Sequence, residues 1–313
     1  MMQTSNHIPV LLEELVESLD RKSAATVIDA TLGLGGHAAT VLSQIGPKGQ
    51  LLGIERSLEG LEQARVRLAS YKQQVKLVYG DFRDLFAIAT ANDLLGVDAI
   101  YFDLGLASWQ IDEGYQGLSF QVDSPLDMRL ESPAYNASVE FQIPLWTDDD
   151  RLRHIVNQSF GRSASTFINQ ASELEIGIVL RELGGVRTWR EVARQIVTYR
   201  AQQSIDSTKQ LVEAVGTEGP GLLAPVFQAL RILVNDEYGA IVAGLAGAWQ
   251  ILRPGGRLAV ISFHSGEHRL IKHIFRKLPG ASSITRVFPS AAEIAINARS
   301  RSATLRFIQK SIY

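Results

Sequence analysis

A short apolar strand, Val27-Ile28-Asp29, runs through Ala30-Thr31-Leu32 into Gly33-Leu34-Gly35-Gly36 and then into a helix-like segment that starts at His37. Strand, glycine loop and helix in immediate succession constrain the fold more than any other stretch. Glycines turn the backbone tightly and let a ligand reach main-chain N–H groups with no Cβ in the way. Such a unit opens a parallel α/β sheet, and its loop is a cradle for a nucleotide-like ligand. The run fits the loose pattern Gly-x-Gly-x-x-Ala, which by itself does not say which ligand.

The rest of the chain extends the alternation. Apolar residues at helical spacing predict a helix over 7–19, and strands are expected at 27–29, 50–55, 75–79 and 99–103. Helices are expected at 37–45 and 58–71. This succession predicts a doubly wound parallel sheet, with right-handed crossovers gathering the loops after strands 1 to 4 at one edge. From about 131 to 222 the pattern turns polar and helical. The capping box Ser172-x-x-Glu175 starts a helix that runs to Gly184-Gly185, a second spans 190–200, and a third follows Asp206. The α/β pattern resumes with an apolar helix over 225–252, the turn Arg253-Pro254-Gly255-Gly256 and a strand at 257–263. A helix at 268–278 follows, then two strand-like pieces, 283–288 and 303–308, divided by a loop. The expected organisation is one α/β domain, residues 1–130 and 223–313, interrupted by a helical domain at 131–222.

Composition removes several chemistries. There are no cysteines, so disulfides, thiolate catalysis and cysteine-ligated metal sites are excluded; no metal site is expected. No apolar stretch approaches the roughly 18 residues of a membrane span, and the N-terminal region carries acids rather than a cationic leader. The expectation is a cytoplasmic protein with no membrane association; its oligomeric state stays open. The net charge of −2 hides a gradient: residues 1–150 hold 10 Lys/Arg against 22 Asp/Glu, whereas residues 264–313 hold 9 against 2. A basic C-terminal surface beside an acidic half suggests a polyanionic partner.

Charge also bears on the ligand. Asp29 ends strand 1 and Glu55 ends strand 2, where a carboxylate can accept hydrogen bonds from ribose hydroxyls. Asp81, Asp84 and Asp103 fall at or beyond strand ends, and no Lys or Arg follows the glycines. NAD brings a pyrophosphate, whereas S-adenosylmethionine (SAM) brings a sulfonium cation and an amino-acid tail. An acidic edge favours the cation. Asp103 and Gln110, on and after strand 4, lie where the reacting end of a cofactor would project, and Phe82 can stack on adenine or pack in the core.

Several segments then resemble one family. They are Asp-Ala-Thr-Leu-Gly-Leu-Gly-Gly-His (29–37), Asp-Leu-Gly-Leu-Ala-Ser-Trp-Gln-Ile-Asp (103–112) and Gly-Leu-Ser-Phe (117–120). Further matches are Asp-Ser-Pro-Leu-Asp-Met-Arg-Leu (123–130), Phe-Gln-Ala-Leu-Arg-Ile-Leu-Val-Asn (227–235), Arg-Pro-Gly-Gly-Arg-Leu-Ala-Val-Ile-Ser-Phe-His-Ser (253–265) and Asn-Ala-Arg-Ser-Arg-Ser-Ala-Thr-Leu-Arg (297–306). Together they resemble the bacterial ribosomal small-subunit RNA methyltransferase H family, also called MraW. The resemblance implies a class I SAM-dependent methyltransferase with a helical insertion, acting on the N4 amino group of a cytidine in the decoding region of 16S rRNA. It implies SAM contacts at Gly35, Gly36, His37, Glu55, Phe82, Asp103 and Gln110. The family usually has Asp where this chain has Glu55, Pro at Trp109, and Leu-Glu-Asp at Gly266-Glu267-His268.

For the chemistry, Asp103 is the candidate beside the reacting amine, and His264, at the end of the strand over 257–263, can accept the proton lost after transfer. Asp127 and Arg129 are candidates for positioning RNA. Arg187, Arg190 and Arg194, expected on one helix face with Arg200 nearby, and Arg299, Arg301, Arg306 and Lys310 in the tail, are candidates for phosphate contacts. Two other classes remain: an NAD-dependent dehydrogenase, which the glycine loop alone permits, and a non-catalytic SAM- or RNA-binding assembly factor.

Overall fold

A computed structural model describes residues 8–19, 25–105, 115–130 and 147–312. The chain divides into two compact units. Among the described residues, the first holds 8–19, 25–105 and 240–312, and the second holds 115–130 and 147–239. Residues 115–130 and 223–239, expected in the α/β domain, therefore fall in the helical unit.

In the first unit, α1 (Leu12–Ser18, shorter than the helix expected over 7–19), β1 (Thr26–Asp29), α2 (Gly36–Gln44), β2 (Gln50–Glu55), α3 (Leu58–Arg67), β3 (Val75–Tyr79) and β4 (Val97–Asp103) follow the expected alternation, and a further helix not read from the sequence, α4 (Leu85–Ala91), lies between β3 and β4. The helix expected over 58–71 ends at Arg67, and Ala69–Tyr71 tightens into a 3-10 turn. Among the described residues the sheet has seven strands in the order β3-β2-β1-β4-β5-β7-β6, with β5 Leu252–Ser262, β6 Thr285–Val287 and β7 Thr304–Gln309. β1 to β5 are parallel, but β7 runs antiparallel to both β5 and β6, so the sheet is mixed rather than wholly parallel. Insertion of a late strand between β5 and β6 has no local sequence signature. The segment between β6 and β7 also differs from the expected loop: it contains the short helix Ala291–Ile296 and a 3-10 turn over Ala298–Ser302.

Period-two patterning builds the core on one face of this sheet. Val27, Ala99, Tyr101, Ala259, Ile261 and Leu305 of the strands bury against Leu15 and Val16 of α1, Val41 and Leu42 of α2, and Leu61 and Ala64 of α3. Arg253-Pro254-Gly255-Gly256 forms an excursion within β5, where the partner register jumps from Val97↔Leu252 to Ala99↔Arg257. Asp98 anchors it, accepting from Arg253 Nε at 2.7 Å and from Thr26 N at 2.8 Å.

The second unit is helical: Asp150–Ser159, Ala164–Gln170, Glu173–Glu182, Trp189–Arg200, Thr208–Val215 and Pro220–Asn235. Ser172 and Glu175 form the expected capping box. The single apolar helix expected over 225–252 is two helices, Pro220–Asn235 and Glu237–Ile251. Asp236 breaks it at φ 44° and ψ 51°, and its carboxylate accepts from Gly239 N at 3.2 Å. Uniform apolarity on both sides conceals such a break, because periodicity alone carries no stop signal there. Pro220 takes the first helical position, where a missing N–H costs nothing.

Candidate active site

The glycine loop joins β1 to α2. Gly35, with φ 76°, caps α2 in the left-handed region and offers no side-chain acceptor. The first-turn N–H groups of Gly36, His37 and Ala38 consequently have no intrahelical partner. An uncapped helix start of this kind favours a carboxylate. A Cβ on Gly35 would also come within 3.2 Å of Leu68 Cδ1.

Glu55, at the end of β2, is folded onto this loop. It accepts from Gly33 N at 2.7 Å and from Ser57 N at 2.8 Å, one bond to each oxygen. Burial pushes its pKa up despite those bonds. A carboxylate has about four acceptor sites, so lone-pair capacity is left for a ligand hydroxyl beside these backbone donors.

Asp103 ends β4, and its own N–H donates to Thr31 Oγ1 at 2.6 Å. One carboxylate oxygen, Oδ2, stands 3.5 Å from His37 Nδ1. The other, Oδ1, is buried with no hydrogen-bond partner among the described residues. A buried acceptor without a donor costs about 1–3 kcal/mol, and a cationic amine seated there removes the cost. Burial, and then the charge of Glu267, push Asp103 up to about 7.

His37 faces inward. Its Nε2 lies 2.9 Å from the Val10 carbonyl oxygen, which can only accept, so Nε2 carries hydrogen. Burial holds His37 below the usual histidine range. A neutral ring then turns its Nδ1 lone pair toward Asp103, and a proton between them is held by the carboxyl. His37 positions Asp103 with its ring, while its backbone N–H belongs to the helix start.

Other expected acids serve the scaffold. Asp29 is 1% exposed and accepts from Tyr101 Oη at 2.7 Å and Thr31 N at 3.1 Å. Burial pushes it up to about 7 against those bonds. Asp81 caps the turn at Phe82–Asp84. Phe82 is half-buried, edge-on to Phe102 with centroids 5.6 Å apart, and rests where Gly244 leaves room; a Cβ there would come within 2.8 Å of its ring.

His264, expected as a proton acceptor, is a helix cap. Its Nδ1 accepts from Glu267 N at 3.4 Å, and its Nε2 lies 3.2 Å from Glu267 Oε1, at the start of the helix Ser265–Lys277. Glu267 is 3% exposed and also accepts from Phe263 N at 2.7 Å. With Nδ1 accepting from the Glu267 N–H, the neutral ring carries its hydrogen on Nε2, so the cap bond must open before this ring can take a substrate proton.

Gln110 lies outside the described residues. In the second unit, Arg129 binds Asp127 through two bonds of 2.6 and 2.8 Å, and this hydrogen bonding holds the Asp127 carboxyl below its ordinary range. Met128 between them is buried at φ 63°, a strained conformation of the kind that clusters at functional sites. Arg187, Arg190 and Arg194 are exposed, but Arg187 precedes the helix Trp189–Arg200, so only Arg190 and Arg194 share a helical face. Arg200 is committed to the carbonyls of Ile168 and Ala171, and Lys310 to those of Trp249 and Leu252. Arg299 and Arg301 are exposed on the 3-10 turn before β7. No group of three His, Asp or Glu side chains placed to hold a metal ion occurs among the described residues. No described helix is long and apolar enough to cross a membrane.

The model of the MraW methylase family matches residues 4–143 and 145–311. The chain belongs to the MraW methylase family. Its relatives include a ribosomal RNA small subunit methyltransferase H of Symbiobacterium thermophilum, 38% identical, with 97% of this chain and 96% of the relative covered. Another, of Syntrophotalea carbinolica, is 36% identical, with 97% and 98% covered. Among solved structures, a putative rRNA methylase from Clostridium thermocellum aligns over 97% of this chain and 99% of its own, at 13% identity and a TM-score of 0.44. The described residues of this MraW-family chain build a mixed seven-stranded sheet with its glycine loop after the first strand. For a methylase the candidate methyl donor is SAM. The α2 start, Asp103 Oδ1 and Glu55 fit the carboxylate, amine and ribose of that molecule. Membership in the family excludes the dehydrogenase reading.

Sequence reasoning missed Thr31, Tyr101, Glu267 and the Val10 carbonyl. A tyrosine inside a buried strand needs a partner for its hydroxyl, and Glu three residues after a cap is a helix-start signature. Both signals were present.

Proposed function

We propose that this protein methylates the N4 amino group of a cytidine in the decoding region of 16S rRNA, within the small ribosomal subunit in the cytoplasm. The observation that carries the reading is the buried, donorless Oδ1 of Asp103 beside the uncapped start of α2, in a chain related over nearly its whole length to small-subunit rRNA methyltransferases. SAM, when bound, supplies an electrophilic methyl group on a sulfonium. The residues of the chain do the rest by binding and orientation.

The helix start takes a carboxylate and Asp103 takes an ammonium, which fixes the amino-acid end of the cofactor. Glu55 takes ribose hydroxyls. Phe82, on Gly244, borders the same edge. A cytosine amine is a poor nucleophile because its lone pair is delocalised into the ring, so in-line placement of the amine supplies much of the rate. The base leaves its stack to reach such a pocket. With His264 capping a helix and Asp103 holding the ammonium, the proton lost on transfer passes to solvent.

Transfer of tritium from methyl-labelled SAM to small subunits lacking the modification tests this reading. Label at N4 of one decoding-region cytidine is expected. Tight SAM binding with no label in RNA would favour the non-catalytic assembly factor instead.

A further inference from the structure

The outer strand pair carries a charge arrangement that the methyl-transfer site does not use. Arg306 of β7 and Arg286 of β6 are direct cross-strand partners, so their side chains leave the same face of the sheet. That face is opposite to the one where Leu305, Phe307 and Val287, which alternate with them, pack into a core cluster, and on it Arg306 lies beside the buried Val260 and Ile308. Like charges directly opposite on paired strands are destabilising. Arg306 is also only 6% exposed, and its Nη1 is buried with no hydrogen-bond partner among the described residues. Neither guanidinium has a carboxylate partner among those residues. A buried guanidinium without a counter-ion is costly to maintain.

The surroundings give an anion a way in. Arg286 is exposed and lies over the ring of Phe288, 4.7 Å from its centroid, and that ring is 54% exposed. His268, which bonds the Ser262 carbonyl at 3.1 Å, stands near enough to feel the charge of Arg306: burial, and then that charge, hold its pKa below the usual range, so it adds a neutral imidazole rather than a third cation. Thr304, two residues before Arg306, pairs with Ser262 at the strand end that leads to His264. The pair therefore sits roughly 7 Å along the strand from the catalytic edge.

We infer that Arg306 and Arg286 form a phosphodiester-binding site for the substrate RNA, with Phe288 as a stacking platform for an adjacent base. Guanidinium groups bind phosphate oxygens through paired donors, and an exposed aromatic ring stacks unpaired bases. One phosphate answers both anomalies, the orphaned Nη1 and the like-charge pair. This inference rests on the RNA-methyltransferase reading for its ligand, but the anion site itself does not.

The test uses the full chain as wild type, Arg306→Met and Arg286→Gln. Arg306→Met keeps volume and removes a buried charge; Arg286→Gln is exposed and keeps the assay valid if the first variant misfolds. Thermal unfolding is followed against inorganic phosphate and against chloride at equal ionic strength. RNA binding is measured across a salt series with a single-stranded RNA of the decoding region, and SAM affinity is the control for folding. Expected is a saturable phosphate stabilisation in wild type that both variants lose, RNA salt slopes smaller by about one phosphate contact, and unchanged SAM affinity. Variants that bind RNA with the wild-type affinity and slope would overturn the inference. Loss of the phosphate effect with unchanged RNA binding would assign the site to free phosphate and overturn the RNA assignment. Absence of methyl transfer by wild type, with the phosphate effect intact, would instead count against the proposed function.

Discussion

His37 Nδ1 lies 3.5 Å from Asp103 Oδ2 while His37 Nε2 is bound to the Val10 carbonyl, so one proton serves the facing pair. Asp103, held at about 7, carries that proton in the free protein below neutrality. A cationic amine requires the carboxylate. SAM affinity should therefore rise about tenfold per pH unit as pH climbs toward 7 and level off above it. Calorimetry in buffers of different ionisation enthalpy should show proton release on binding near pH 6.5. Asp103→Asn should remove the release and weaken binding by roughly 10- to 150-fold, the loss of one charged hydrogen bond.

Asp29 titrates in the same range without facing a ligand. Its folded pKa of about 7 lies above the unfolded value, so the folded state holds the extra proton between about pH 4 and 7. Stability contributed by that proton is complete at low pH and is lost as pH rises through 7, with a slope of at most about 1.4 kcal/mol per pH unit. Asn at this position can accept from Thr31 N and donate to the Tyr101 oxygen. Asp29→Asn should flatten the pH dependence of urea-unfolding midpoints between pH 5 and 7. An unchanged profile would show that Asp29 does not hold the proton.

For His264 the helix-cap role gives a different signature from proton transfer. His264→Asn, which can still cap, should leave kcat and its pH profile near wild type. His264→Ala should lower stability by about 0.5–2 kcal/mol without shifting the profile. A loss of a rate-controlling pKa in both variants would restore the imidazole as a base.

Gly35→Ala forces a side chain into φ 76° and against Leu68. The expected result is destabilisation of about 1–2 kcal/mol, with SAM affinity falling because the α2 N–H groups are displaced. Saturation with SAM should recover part of the melting temperature.

Arg190→Glu and Arg194→Glu change charge on one exposed helical face. Each should weaken RNA binding and reduce its salt slope, leaving calorimetric SAM binding unchanged. Equal RNA affinity to wild type across the salt series would remove this face from the RNA footprint.

The fold was legible where short-range patterns decide it. Strands 50–55 and 75–79 and the Ser172 capping box stand where periodicity and cap chemistry put them. What escaped depends on long-range partners: β7 between β5 and β6, or Asp236 ending one apolar helix and opening another. The site divides likewise. Glu55 and Asp103 are recognisable at strand ends, but that Glu55 grips Gly33 N, and that Asp103 keeps an orphaned oxygen beside His37, follow from packing between strands distant in sequence.

β6 precedes β7 in the chain yet has no strand neighbour except β7 among the described residues. It cannot join the sheet until the later strand has docked on β5. β7 reaches β5 only by closing the loop from Ser262 to Thr304, a long-range pairing of the kind that is slow in folding. Arg306 is enclosed beside Arg286 only when that step is complete. Capture of an anion at the outer edge is thereby a report on the finished fold, available to a refolding experiment as a signal for its last phase.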